Sequence, residues 1–190
     1  DDAMNIESVI GTGQSDTLTG TASNDAFSVI DDNGIDNGTV NGVGFTSFEN
    51  LAGAGGNDSF QFQNTLGLTG GIDGGADTDV IDYSQYSTGV TVDLLNGTST
   101  NITGGISNIE NAIGGTGNDS LTGSAGDNVL TGGIGDDVFF VTDGGNDVIN
   151  DGGNALMAPV GDTIDFSLAT GPITIDLDSS AVQTVRTGQT

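Results

Sequence analysis

The apolar residues of this chain do not follow a helical period. Between residues 114 and 140 the large ones recur every nine positions, at Leu121, Leu130 and Phe139. Three nine-residue blocks lie end to end here, GGTGNDSLT, GSAGDNVLT and GGIGDDVFF. Each opens with Gly, has Asp or Asn at its sixth place (Asp119, Asn128, Asp137) and a large apolar residue at its eighth. Around the eighth place polar and apolar residues alternate, the pattern of a short strand with one buried face. The glycine-rich first half predicts a tight turn whose backbone carbonyls approach one another. Two blocks make one coil, so the first and third stack on the same side. Asp119 and Asp137 then fall on neighbouring rungs. The pattern predicts an all-β parallel solenoid.

Less regular copies extend the series. GTGQSDTLT and GTASNDAFS place Asp16 and Asp25 sixth, with Gln14 and Ser23 where the fourth Gly would stand. GAGGNDSFQ carries Asp58, and GGADTDVID carries Asp79. In the latter Asp77 replaces the fourth Gly, which either strengthens a cation site or breaks the turn. TDGGNDVIN carries Asp147 after one inserted residue, which is expected to shift its register. MAPVGDTID keeps only Asp162 and Ile164 in place, and Asp162 is expected to do no more than cap a turn. The predicted apolar stripe is Leu18, Phe27, Phe60, Ile81, Leu121, Leu130, Phe139, Ile149 and Ile164. Residues 29–52 hold no block. Here the Asn41-Gly42 pair predicts strands on either side of it, an irregular or hairpin insertion near residues 29–45. The acidic turn at 31–36 lacks EF-hand spacing and reads as a solvated turn.

Two longer patterns frame the blocks. Asn5-Ile6-Glu7-Ser8, Ser47-Phe48-Glu49-Asn50 and Asn108-Ile109-Glu110-Asn111 are copies of one motif holding every Glu of the chain. Glu7, Glu49 and Glu110 either ligate a cation across a rung or serve the strand structure. A second echo joins Ile81-Asp82-Tyr83-Ser84 to Ile164-Asp165-Phe166-Ser167 at an offset of 83 residues. Residues 1–190 are therefore expected to form one continuous repeat-built solenoid. In it 114–140 are the best repeats and 142–190 a second-cycle copy, and the whole is a piece of a longer array.

Charge sharpens the picture. The chain has 24 Asp, 3 Glu, one Arg and no Lys, His or Cys, for a net charge of −26. It has almost no cations to offer phosphate, so nucleic acid and anionic membrane surfaces are excluded as partners. The longest apolar run, Val138 to Val141, is far too short to span a bilayer. Zinc-thiolate sites and disulfides are excluded. The usual catalytic bases and nucleophile activators are missing, and an enzyme is not expected. Stacked carboxylates need a cation, and a site made only of oxygens suits Ca²⁺.

The nonapeptides resemble the RTX, or haemolysin-type calcium-binding, repeats of bacterial secreted proteins. The longer cycle resembles the spacers of very large bacterial surface proteins. The resemblance implies a right-handed parallel β-roll or β-solenoid, type I export, an extracellular location and folding coupled to calcium. It implies ligands at Asp119 and Asp137 with carbonyls around Gly115, Gly117, Gly133 and Gly135. Asn128 and Asp147 would form a site opposite that is weaker or absent. Asp16, Asp25, Asp58, Asp77 and Asp79 are further candidates. The implied function is a calcium-binding structural spacer whose partners are calcium ions and neighbouring repeats. The alternative is an adhesin module binding a glycan or cell surface through Tyr83, Tyr86 and Phe166 as exposed platforms. The Thr-Gly-Asn turn of ice-binding β-rolls occurs once, too few for an ice-templating array.

Overall fold

The computed structural model describes residues 6–30, 36–152, 161–171 and the backbone of 173–175 and 183–187. Among these residues every regular element is a strand. In the first half these are β1 (Ser8–Ile10), β2 (Thr17–Thr19), β3 (Ala26–Val29), β4 (Gly38–Val40), β5 (Val43–Thr46), β6 (Asn50–Gly55), β7 (Ser59–Gln63), β8 (Ile72–Ala76), β9 (Val80–Gln85) and β10 (Thr91–Asp93). The second half contains β11 (Thr98–Ser99), β12 (Ile106–Ser107), β13 (Asn111–Ile113), β14 (Ser120–Thr122), β15 (Val129–Thr131), β16 (Val138–Phe140), β17 (Asn146–Asn150), β18 (Thr163–Asp165), β19 (Ile173–Ile175) and β20 (Gln183–Thr187).

From β5 to β10 and from β13 to β18 successive strands alternate between sheets, which is what a coil of two strands requires. One sheet has 11 strands in the order β1-β5-β4-β3-β7-β9-β13-β15-β17-β20-β19. Two shorter sheets, β12-β8-β6-β2 and β11-β10-β14-β16-β18, hold the other strands. Apart from the antiparallel pairs β3-β4, β4-β5, β10-β11, β17-β20 and β19-β20, pairing along the stacks is parallel, and residues of the same place in the repeat lie over one another. In the long sheet Phe27, Phe60, Ile81, Ala112, Leu130 and Ile149 form one column. Val92, Leu121, Phe139 and Ile164 form a second. Leu18, Leu51, Ile72 and Ile106 form a third. The single predicted stripe is thus three columns, and its predicted members all belong to them. Leu18 and Ile164 are partly buried and the other seven are buried. Each buried large apolar side chain contributes about 1.5–3 kcal/mol relative to exposure. Phe27 and Phe60 stack at 4.8 Å between ring centroids.

β4 and β5 pair antiparallel around Asn41 (φ 50°) and Gly42 (φ 82°), both left-handed as a two-residue hairpin turn demands. The hairpin lies within the long sheet, between β1 and β3, rather than departing from the coil. Its Asp36 accepts Thr69 N–H at 2.7 Å and Thr69 O–H at 2.6 Å, which ties it to a distant turn. The acidic turn at 31–35 and residues 157–160 of the block at 157–165 lie outside the described residues.

Two expectations need correction. The residue inserted before Asp147 does not shift the strand register, because Val129 still pairs with Val148 and Leu130 with Ile149. The extra residue is absorbed in the turn, where Gly144 (φ 102°) and Gly145 (φ 69°) take conformations open to glycine. Tyr83 and Tyr86 are not exposed platforms: both are buried, at 0% and 1%. Tyr83 stacks on Phe62 and its hydroxyl donates to the carbonyl of Thr100 at 2.7 Å. The Tyr86 hydroxyl donates to the carbonyl of Leu66. Phe166 packs partly buried against the core. In a thin solenoid the core takes large rings wherever a loop lets them turn inward.

Candidate metal centre

Each sixth-place residue stands directly before its strand, except Asp147, the second residue of β17. Strand stacking therefore stacks these side chains about 4.8 Å apart. Three columns result. Along the long sheet run Asp25, Asp58, Asp79, Glu110, Asn128 and Asp147. Along the five-stranded sheet run Val90, Asp119, Asp137 and Asp162. Asp16 and Glu49 stand along the four-stranded sheet.

A hydrogen-bond ladder ties each column together. At every step but one, a carboxylate oxygen of a rung accepts the backbone N–H of the rung before it; between Glu110 and Asn128 the Asn128 amide donates to the Glu110 carbonyl instead, and Glu110 N–H turns back to the Asp79 carbonyl. Asp25 N–H donates to Asp58 Oδ1 at 2.7 Å, Asp58 N–H to Asp79 Oδ1 at 2.7 Å and Asp79 N–H to Glu110 Oε2 at 2.8 Å. In the second column Val90 N–H donates to Asp119 Oδ1 at 2.7 Å, Asp119 N–H to Asp137 Oδ1 at 2.8 Å and Asp137 N–H to Asp162 Oδ1 at 2.9 Å. Asn128 N–H donates to Asp147 Oδ1 at 3.0 Å, and Asp16 N–H to Glu49 Oε2 at 2.8 Å. Asp162 is therefore a rung of a column and not only a turn cap. Glu49 and Glu110 occupy sixth places too, so the short Glu motif is the second half of a degenerate nonapeptide. Its signal was in the sequence: Leu51 and Ala112 stand two residues after the Glu, where the eighth-place apolar residue belongs.

The second carboxylate oxygen separates open rungs from closed ones. Asp25 is closed: Oδ2 accepts Thr21 N–H at 2.5 Å and Oδ1 accepts the Asn41 amide. Oδ2 of Asp16 accepts the Thr12 hydroxyl at 2.8 Å. Oδ2 of Asp119 accepts Gly115 N–H at 2.7 Å. The Oδ2 atoms of Asp58, Asp79 and Asp137 are buried with no hydrogen-bond partner. Asn128 uses its amide in both senses, accepting Ser124 N–H at 2.6 Å and donating to the carbonyl of Glu110 at 2.7 Å. Asp77 is exposed, keeps the glycine-like backbone of the place it fills (φ 78°) and accepts Gly56 N–H at 3.1 Å.

Electrostatics follow from this stacking. Burial pushes the Asp79 and Asp137 carboxyls up to about 6, opposed by the N–H bond each accepts and reinforced by the neighbouring carboxylates. Burial does the same to Asp147, with Asp127 adding to it. Asp58, Asp119 and Asp162 are also raised, chiefly by burial. A buried, unpaired carboxylate is costly unless a counter-charge joins it.

The residues present fit a calcium ion. Gly133 stacks over Gly115, whose carbonyl accepts Ile134 N–H at 3.0 Å, and Gly135 stacks over the carbonyl of Gly117. The predicted turn glycines are thus brought together beside Asp119 and Asp137. A β-carbon on Gly114 would overlap both Oδ2 of Asp119 and the carbonyl of Gly132, so carboxylate and carbonyl oxygens converge on that glycine. Among the described residues no three acidic side chains gather at one point. An ion would be held between two rungs, by carboxylates and carbonyls together. All-oxygen donors of mixed type suit a hard, geometrically tolerant cation.

Stacked turns, sixth-place carboxylates and eighth-place apolar columns define a β-solenoid built of nonapeptide repeats. Residues 6–28, 104–139 and 113–149 match the family described as RTX calcium-binding nonapeptide repeat (4 copies). Calcium is the cofactor of such repeats. No curated protein matches the chain.

Proposed function

We propose that this chain is a calcium-stabilised structural segment of a larger secreted or cell-surface protein of RTX type, wound as a right-handed coil. The observation that carries this reading is the orphaned Oδ2 of Asp137, buried one rung below Asp119 in a chain with no Lys or His. Asp119 and Asp137 would hold the ion with turn carbonyls of Gly115, Gly117, Gly133 and Gly135. Asn128 and Asp147 would form a site of lower charge opposite. The ion supplies the positive charge that the column lacks. Without it, a chain of net charge −26 repels itself and stays loose enough for export. At extracellular calcium the ion binds the folded state and stabilises it by mass action. We read the segment as non-enzymatic, because it has no His, Lys or Cys. Far-UV circular dichroism in millimolar Ca²⁺ and in EDTA tests the reading. A β signal that is stronger and melts higher with calcium than in EDTA is expected, and an unchanged spectrum in EDTA would sink it.

A further inference from the structure

We propose that Asn96 is a self-modification site: its side-chain amide leaves as ammonia when a succinimide forms with Gly97, and water opens that ring to Asp or isoaspartate. Asn-Gly is the pair that favours this chemistry, because no side chain crowds the glycine nitrogen. The sequence has four such pairs, of which Asn37-Gly38, Asn41-Gly42 and Asn96-Gly97 fall among the described residues. Their surroundings separate them.

The reaction needs an open Asn Cγ and an uncommitted nitrogen on the next residue. Asn41 is closed, because Oδ1 accepts Ala26 N–H at 2.9 Å and Nδ2 donates to Asp25 Oδ1. Asn37 is half-buried, its Oδ1 accepts Ser47 N–H at 3.1 Å, and Gly38 is buried in β4. Asn96 is exposed in the turn between β10 and β11. Only its donors are held: its N–H donates to Asp93 Oδ1 at 2.9 Å and Nδ2 to Asp93 Oδ2 at 2.7 Å. Oδ1 of Asn96 and the N–H of Gly97 have no hydrogen-bond partner among the described residues. The Gly97 nitrogen attacks Cγ of Asn96, and its proton leaves with Nδ2 as ammonia. Water then cleaves one of the two ring C–N bonds. Cleavage at Cγ leaves Asp. Cleavage at the main-chain carbonyl routes the backbone through Cγ and lengthens it by one carbon.

That lengthening falls on a tether. The carbonyl of Gly97 (φ 68°) accepts Ile106 N–H at 2.8 Å, and a β-carbon on Gly105 would lie 2.7 Å from the same oxygen. The contact ties the β10-β11 turn to β12, the edge of the four-stranded sheet. Beside it runs a groove lined by Asn50, Asp73, Asn96, Gly97 and Ser107. In isoaspartate the Gly97 carbonyl is carried off Ile106. The new carboxylate faces Asp93 without the amide that bridged them. The turn is released from the sheet and the groove opens.

The test ages the whole 190-residue chain in calcium at mildly alkaline pH, where loss of the Gly97 amide proton speeds the attack. Cleavage after Glu7, Glu49 and Glu110 then puts Asn96 in peptide 50–110 and the other three pairs in peptide 8–49. Peptide 50–110 is expected to gain about 1 Da and to split into Asp and isoaspartate forms. In Asn96→Gln it should keep its mass. A peptide 50–110 that keeps its mass in the aged folded chain, while chain aged in denaturant gains it, would overturn the site. So would a gain that persists in Asn96→Gln. The consequence is read by melting. The aged chain is expected to melt lower than the fresh one, and Asn96→Asp, whose backbone is not lengthened, to fall less. Equal melting of fresh and isoaspartate-containing chain would overturn the release of the turn.

Discussion

The carboxylate of Asp137 folds back over Gly132, so that a β-carbon on Gly132 would overlap Oδ2 and come within 2.8 Å of Cγ. It would also lie 2.9 Å from Cζ of Phe139. The same return, five residues long, brings Asp58 over Gly53, Asp79 over Gly74 and Asp119 over Gly114. The first Gly of the nonapeptide is therefore tied to its sixth-place Asp by space. Its neighbour Gly133, with φ 106°, is needed for its backbone conformation instead.

Gly132→Ala is expected to destabilise the calcium-bound protein by about 1–3 kcal/mol, the usual cost of forcing an extra carbon into a packed site. Gly126→Ala is the control, because its β-carbon would meet nothing closer than Ser124 Oγ at 3.8 Å. It should stay within about 0.5 kcal/mol of the parent. Melting curves of both variants in millimolar calcium make the comparison. Equal melting temperatures would refute the assigned contact.

Asp137→Asn should change sign with calcium. The amide oxygen can still accept Asp119 N–H, so the ladder survives. Without calcium the variant removes a buried charge and its repulsion with Asp119 and Asp162, and should melt higher than the parent. With calcium it loses a ligand and should melt lower. Paired melts in EDTA and in calcium would show the crossing; a variant that moves the same way in both would contradict the role given to Asp137.

Much of this was legible in the chain. A nine-residue period in apolar residues fixes strand length and puts Leu121 over Phe139, because strands of the same place must stack to bury them. Asn41-Gly42 marked the hairpin for the same local reason. What could not be read was loop length between equivalent rungs. Asp25, Asp58 and Asp79 are separated by 33 and 21 residues, so no fixed period joins them, and only the pairing of β3, β7 and β9 does. Asp162 read only as a turn cap because its block has lost the glycines of its first, second and fourth places. The 83-residue echo also misleads about position. Ser84 N–H donates to Asp82 and Ser167 N–H to Asp165, both at 2.7 Å, so the local turn is repeated. Yet Ile81 lies in the long sheet and Ile164 in the five-stranded one. Local chemistry recurs with sequence, whereas the face depends on how many rungs have intervened.

Mild acid should stabilise the calcium-free protein. Asp79, Asp137 and Asp147 are pushed up to about 6 in the fold, against about 4 for an unfolded Asp. The folded chain then binds protons more tightly than the unfolded chain. The stabilisation from protonation is complete below about pH 4 and is lost as pH rises through 6. In EDTA the melting temperature should therefore be higher at pH 5 than at pH 7.5. In millimolar calcium the order should reverse, since the ion requires ionised ligands. A calcium-free melting temperature that rises from pH 5 to pH 7.5 would contradict the burial of these carboxylates.

Glu49 offers a test of the ladder apart from any metal. Its Oε2 accepts Asp16 N–H at 2.8 Å, the job that Asp Oδ1 performs in the other columns with one methylene less. Asn50 beside it reinforces the same rung: Oδ1 accepts Gly71 N–H at 3.0 Å and Nδ2 donates to the Asp16 carbonyl at 3.1 Å. Glu49→Gln preserves an acceptor at the same reach and should leave the calcium-bound melting temperature close to that of the parent. Glu49→Ala strands the Asp16 N–H and should cost about 1 kcal/mol, the net worth of one intramolecular hydrogen bond. Neither change should alter the number of calcium ions bound, because this column holds no orphaned oxygen like those of Asp58, Asp79 and Asp137. If Glu49→Gln falls as far as Glu49→Ala, charge rather than the hydrogen bond is what Glu49 contributes, and the ladder does not explain why the motif carries Glu.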